Sequence, residues 1–203
     1  VTAPDKASSH SFGGPVSQSG NILAVGANRS DPDGVNDAGA ACLYQLEANG
    51  SVTFLTKVTA PDKASSDLFG SSVSQSGNIL SVGALYSSPD GVIRAGAAYL
   101  YKLESNGSAT YLTKVTAPDK AIGDYFGISV SQSGNILAVG AENSYLDGLY
   151  SAGAAYTFDI SGFTGSNTIP TDLNVAALLV ISENQPVSTI VGEFNATDPD
   201  ANA

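Results

Sequence analysis

Val58-Thr59-Ala60-Pro61-Asp62-Lys63 is a phrase that the chain writes three times, also as Val1-Thr2-Ala3-Pro4-Asp5-Lys6 and as Val115-Thr116-Ala117-Pro118-Asp119-Lys120. The three copies start at positions 1, 58 and 115, so the period is 57 residues both times, with no insertion or deletion. A fixed period of this order marks an array of supersecondary units, none of which can bury its apolar face alone. The units run over about 1–57, 58–114 and 115–160. A pattern that recurs in every unit also argues against a single unique residue carrying chemistry.

Reading outward from the phrase, the middle unit resolves into four short strands. Ser72-Val73-Ser74-Gln75 alternates and is stopped by Ser76-Gly77-Asn78. Ile79-Leu80-Ser81-Val82 follows, ending at Gly83-Ala84, and the polar loop Ser87-Ser88-Pro89-Asp90-Gly91 leads to Ala97–Leu103. Asn106-Gly107 predicts a two-residue hairpin turn, because Asn-Gly tolerates positive φ at both central positions. Ala109–Val115 then completes the unit, before Pro118-Asp119 breaks the pattern. No helical period interrupts the series. Four antiparallel strands per unit, repeated along a chain, predict an all-β fold of β-propeller blades. A β-helix would need a much shorter repeat.

Composition narrows the partners. The 203 residues carry 8 Lys and Arg against 19 Asp and Glu, a net charge of −11. Such a field repels nucleic acid and anionic membrane surfaces and suits cations. No run of about 18 apolar residues offers a membrane-spanning helix. The single cysteine, Cys42, excludes an internal disulfide and a cysteine-based zinc cluster. It stands at a repeat position that Tyr99 and Tyr156 hold elsewhere, which reads as a buried, inert thiol.

Phe69-Gly70, Ser72-Val73-Ser74, Val82-Gly83-Ala84 and Ala95-Gly96-Ala97-Ala98-Tyr99 together resemble the FG-GAP repeat of integrin-α-like propellers, in its bacterial and extracellular branch. The same marks recur at Phe12-Gly13, Val25-Gly26-Ala27 and Gly39-Ala40-Ala41, and at Phe126-Gly127, Val139-Gly140-Ala141 and Gly153-Ala154-Ala155-Tyr156. The glycines would let neighbouring sheets approach closely, with the Phe wedged between them. Integrin-type repeats carry an Asp-rich calcium loop between the first two strands. Here that connection is Gln75-Ser76-Gly77-Asn78, without a carboxylate, so those calcium sites do not carry over.

Acids do gather between the second and third strands. Asp31, Asp33 and Asp37 surround Gly34 in the first unit and could offer hard oxygen ligands to Ca²⁺. Of these only the Asp-Gly dipeptide persists, as Asp90 and Asp147, and Asp-Gly is also an ordinary turn signal. A second set precedes each Phe-Gly: Asp62 and Asp67, Asp119 and Asp124, and in the first unit Asp5 and His10. These are expected to accept backbone N–H groups in the connection between blades, with a glycan or cation site as the sharper alternative. No His partners a Ser or Cys nucleophile, and no phosphate loop is present. Carboxylate pairs could serve a glycosidase, but their recurrence in every unit fits scaffold better. Asn28, Asn49, Asn106 and Asn195 begin N-x-Ser/Thr sequons, of which Asn49 and Asn106 are equally explained as turn residues.

Beyond the repeats, residues 161–171 read as a linker. Residues 172–203 resemble the N-terminal part of a cadherin-like domain, a partial β-sandwich, through Glu183-Asn184-Gln185-Pro186 and Ala196-Thr197-Asp198-Pro199-Asp200. The resemblance implies Ca²⁺ ligation by Glu183, Asp198 and Asp200. The expected function is a non-catalytic extracellular or cell-surface repeat module for adhesion or protein and glycan interaction, within a larger surface protein. The alternatives are a filament or coat subunit completed by strand exchange, and the propeller of a polysaccharide-active enzyme. Since three units cannot close a ring, further blades of a longer chain or other copies are the expected partners.

Overall fold

The computed structural model describes residues 1–144, 149, 151–164, 172–174 and 195–197. A first compact unit spans Val1–Thr164 and a second spans Gly165–Ala203. In the first unit, each repeat folds as one antiparallel meander. The first sheet is β1 (Phe12–Ser19), β2 (Ile22–Ala27), β3 (Ala40–Leu46) and β4 (Val52–Val58). The second is β5 (Phe69–Ser76), β6 (Ile79–Ala84), β7 (Ala97–Leu103) and β8 (Ala109–Val115). The third has three strands, β9 (Ser129–Ser133), β10 (Ile136–Ala141) and β11 (Ala154–Asp159). These are propeller-blade sheets, and they are not closed into a ring.

Period-2 alternation puts opposite faces of the second sheet into two different cores. Leu80, Val82, Tyr99 and Tyr101 pack with Ala24, Ala41 and Leu43 of the first sheet. Ile79, Ala98 and Leu100 pack with Leu137 and Val139 of the third. Phe69 and Phe126, both fully buried, stand at the edges of these two cores. Phe69 meets Tyr99 and Tyr101 edge-on, with ring centroids 5.4 and 6.0 Å away, and Phe126 meets Tyr156 and Phe158 at 5.6 and 5.9 Å.

Glycine sets the closeness of the sheets. A Cβ on Gly96 would lie 2.0 Å from the Phe126 carbonyl oxygen, and one on Gly39 equally close to that of Phe69. Both positions also hold positive φ, 85° and 86°, so two separate constraints exclude a side chain.

Three local readings need correction. The Asn106-Gly107 connection is not a two-residue turn. Gly107 alone takes positive φ, its N–H donates to the Glu104 carbonyl, and Glu104 N–H donates to the Ser108 carbonyl. Asn106 instead turns its Oδ1 onto Ser108 N–H and Oγ–H (2.9 and 2.7 Å), a side-chain cap that favours the longer loop. Ser161–Thr164, expected in a linker, forms a single helical turn, α1. Helical turns also occur at Pro32–Gly34 and Pro89–Gly91, where proline pre-sets φ. In the second compact unit, β12 (Asp172–Asn174) pairs antiparallel with β13 (Asn195–Thr197).

Candidate functional site

Pro-Asp-Lys sits in the connection between consecutive sheets, and its two charged residues point in opposite directions along the array. Asp62 clamps the sheet that follows. Its Oδ1 accepts the Tyr99 hydroxyl of β7 at 2.9 Å, and its Oδ2 accepts Lys114 Nζ of β8 at 2.8 Å. Lys63 reaches back to the preceding sheet and pairs with Asp33 at 3.0 Å. The next connection repeats the arrangement, Asp119 accepting Tyr156 O–H at 2.7 Å and Lys120 pairing with Asp90 at 3.1 Å. Asp5 likewise accepts Lys57 Nζ at 2.6 Å. One dipeptide therefore staples two neighbouring sheets.

Burial opposes ionisation of Asp62, but the hydrogen bonds from Lys114 and Tyr99 outweigh it and hold its pKa below the ordinary 3.8. Burial raises the Tyr99 pKa, keeping its phenol a donor. Asp67 behaves oppositely. It is buried, and desolvation pushes its pKa up against the single Ala64 N–H (2.8 Å) that it accepts. The expected role for this second acid holds here and at Asp124, which accepts Ala121 N–H at 2.6 Å. Asp62 and Asp119 add to this role long-range side-chain donors, Tyr99 O–H and Lys114 Nζ for the first and Tyr156 O–H for the second.

The sign of each shift gives a prediction. A lowered folded pKa contributes stability that is full above the unfolded value of about 3.9 and is lost as pH falls through the folded one. Asp67, raised, disfavours the folded state at neutral pH and ceases to do so as it protonates. Asp62→Asn is therefore expected to cost about 1 kcal/mol at pH 7, an effect that shrinks below about pH 4. Asp67→Asn, which keeps an acceptor for Ala64 N–H, should be neutral or stabilising. Urea denaturation across pH 3 to 8 checks both; equal losses for the two variants would contradict the assignment.

Asp31, Asp33 and Asp37 serve separately. Asp31 Oδ1 accepts Asp37 N–H at 2.8 Å, closing the loop as Ser88 Oγ does for Arg94 N–H at 3.1 Å. Asp33 turns to Lys63. The Asp37 backbone carbonyl accepts Leu68 N–H of the next sheet's approach. Among the described residues, no group of three or more His, Cys, Asp or Glu gathers as a metal site. Glu183, Asp198 and Asp200, and Asp147 of the third repeat, lie outside the described residues.

Two features escaped sequence reasoning. The lysine of the repeated phrase pairs with an acid 30 residues upstream, a spacing that Asp33/Lys63 and Asp90/Lys120 share. The Ser-x-Ser of each first strand also links sheets: Ser17 and Ser19 accept Gln75 and Gly77 N–H, and Ser74 and Ser76 accept Gln132 and Gly134 N–H. The signal in both cases was recurrence at fixed spacing, not residue chemistry.

Cys42 is buried, and desolvation raises its thiol pKa, as expected of an inert residue. Its cost is local. Tyr99 approaches both Asp62 and Ser87, a reach the smaller Cys42 lacks; Ser30 Oγ is buried without a hydrogen-bond partner, as is Ser144 Oγ of the third repeat, where Tyr156 stands. Cys42→Tyr restores the repeat and is expected to add roughly 0.5–2 kcal/mol of stability. A lower melting temperature instead would mean that the Asp5–Phe12 approach has closed over the smaller side chain.

A family model described as FG-GAP repeat matches residues 1–44, 52–101 and 110–158, each match ending in the third strand of a sheet and the second and third beginning in the fourth strand of the sheet before. No curated protein gives a significant match.

Proposed function

Because the chain belongs to the FG-GAP repeat family, we propose that it is a non-catalytic interaction module that presents its inter-strand loops to protein or glycan partners outside the cell. FG-GAP repeats are typical of extracellular adhesion-type modules, and among the described residues no helix is long and apolar enough to cross a membrane. The observation that carries the reading is the fate of the recurring acids. Asp5, Asp62 and Asp119, and Asp67 and Asp124, are each committed to a lysine, a tyrosine or a backbone N–H of the scaffold. A carboxylate so engaged is poorly placed for general acid–base work. The loops between second and third strands, by contrast, differ from unit to unit at Asn28/Leu85/Glu142 and Asn36/Ile93.

The test is to immobilise the chain and screen acidic and neutral polysaccharides and matrix proteins for saturable binding, assaying each polysaccharide for new chain ends. Binding without cleavage is expected. New chain ends, abolished by mutating one carboxylate, would transfer the protein to the polysaccharide-active alternative. Residues 172–203 we read as the opening of a cadherin-like domain that takes Ca²⁺ through Glu183, Asp198 and Asp200. Calorimetric Ca²⁺ titration of the full chain against the Asp198→Asn/Asp200→Asn variant checks it; identical heats would reject it.

A further inference from the structure

Departures from the repeat mark places where the chain does something that its scaffold does not require, and three of them touch one another beside the second sheet. Tyr86 replaces Arg29 and Asn143 of the other units, Arg94 replaces Asp37 and Ser151, and Tyr125 replaces Ser11 and Leu68. The Arg94 guanidinium carbon lies 4.8 Å from the centre of the Tyr86 ring, and the Tyr125 ring packs 5.2 Å from Tyr86. The backbone fixes this cluster as well. Arg94 N–H donates to Ser88 Oγ at 3.1 Å, and the Arg94 carbonyl accepts Tyr125 N–H at 3.3 Å. Lys57, Lys63, Lys114 and Lys120 each hold a carboxylate, whereas among the described residues none pairs with Arg94. Stacking on an aromatic ring orients a guanidinium and leaves its N–H edge to a planar anion.

The cluster borders a pocket of about 300 Å³, at the small end of the range for ligand sites. Arg94 and Tyr86 line it together with Ser65, Ser66, Asp67 and Lys114. Asp67 is only 6% exposed. Its Oδ2 accepts Ala64 N–H at 2.8 Å, and its other oxygen has no donor among the described residues. A buried carboxylate oxygen in that condition calls for a donor from outside the chain. Asp62, also in the lining, is already neutralised by Lys114 at 2.8 Å, so Arg94 is the uncompensated cation of the site. The third unit cannot present the same set. Asp124 repeats Asp67 there, but Ile122 and Gly123 stand where Ser65 and Ser66 do, and Asn143 and Ser151 replace the stacked pair.

This set asks two things of one ligand: a planar anion for the guanidinium, and hydroxyl donors for Asp67, with further hydroxyls to exchange with the serines. Sulfate meets only the first demand and a neutral sugar only the second. A hexuronate ring meets both, with a carboxylate at one end and neighbouring hydroxyls at the other. We infer that this pocket binds a hexuronate residue of an acidic polysaccharide, its carboxylate on Arg94 and its hydroxyls on Asp67, Ser65 and Ser66. The inference rests on the ligand-presenting role stated above and names the class of ligand. The net charge of −11 slows the approach of a polyanion more than it weakens the contact, because exposed charges beyond about 8 Å are screened at physiological salt.

The test is calorimetric titration of the full chain at about 0.15 M salt, with trimers of galacturonate, glucuronate and mannuronate, each beside its carboxyl-reduced neutral counterpart. Saturable binding of at least one uronate trimer is expected, with its neutral counterpart much weaker. Arg94→Gln should weaken that binding about tenfold or more. Arg94→Lys should lose less, and Tyr86→Leu several-fold, because the guanidinium then lacks its orienting ring. Arg29→Gln removes the same charge from an exposed site outside the pocket and should leave affinity unchanged. Circular dichroism should be the same for all four variants. Equal affinity for the reduced trimer, or equal losses from Arg29→Gln and Arg94→Gln, would overturn the inference. So would tighter binding of a short peptide with a free C-terminal carboxylate, which would point to a protein partner. Failure of all three uronate trimers would overturn it too, while the ligand-presenting role is decided separately by the screen of matrix proteins and neutral polysaccharides.

Discussion

Gly96→Ala is expected to unfold the array at its second junction. The new Cβ would lie 2.0 Å from the Phe126 carbonyl oxygen and 2.6 Å from its nitrogen, both backbone atoms that cannot rotate away. Relief requires the second and third sheets to separate, which exposes Phe126, Leu137 and Val139 and breaks the Phe126 N–H to Ala95 O bond. A loss of about 4 kcal/mol or more follows from overpacking against backbone. Gly91→Ala is the control. Gly91 has φ of 78°, near the 85° of Gly96, but open space around it. It should show the left-handed strain alone, about 1–2 kcal/mol. Melting curves distinguish the two, and equal losses would mean that backbone conformation, not sheet contact, dictates glycine at position 96.

Phe126→Ala should cost about 3–5 kcal/mol, the range for emptying a fully buried aromatic site. The ring fills the angle between the third sheet and the Ala98/Leu100 face of the second. Its loss leaves Tyr156 and Phe158 without their edge contact. At roughly 2–4 °C per kcal/mol for a chain of this size, the melting temperature should fall by roughly 6–20 °C. Phe12→Ala provides the comparison, since Phe12 holds the same position on a partly exposed face. In the isolated chain it should cost much less than Phe126→Ala.

Strands were legible because turn chemistry marks them. Ala97–Leu103 and Ala109–Val115 have the bounds that Gly96 and the Asn106-Gly107-Ser108 cap impose. The Phe-Gly and Gly-Ala-Ala marks located the junctions for the same reason: only glycine suits a positive φ pressed against a neighbouring carbonyl. The hairpin type was not legible, because Asn106 had two outlets, a positive φ of its own or a cap on Ser108, and the choice depends on where the flanking strands bring their ends. The roles of the acids were hidden for a related reason. Asp62 meets Tyr99 and Lys114 only after 37 and 52 residues of intervening meander, and Asp33 meets Lys63 only after the two strands β3 and β4. A short motif such as Asp-Pro-Asp-Gly therefore suggested a local cation loop where the folded chain uses a long-range ion pair.

The Asp62-Lys63 staple has an evolutionary corollary. Every joint it makes follows the same rule, gripping the sheet ahead with the acid and the sheet behind with the base. An in-frame duplication or deletion of one 57-residue unit therefore adds or removes a joint without creating a new kind of joint, so the gene can change its blade number in a single event while each surviving boundary remains chemically familiar. Copy number should then drift among relatives faster than the residues of the joint, and variation in loop sequence can be sampled without renegotiating how the units hold together.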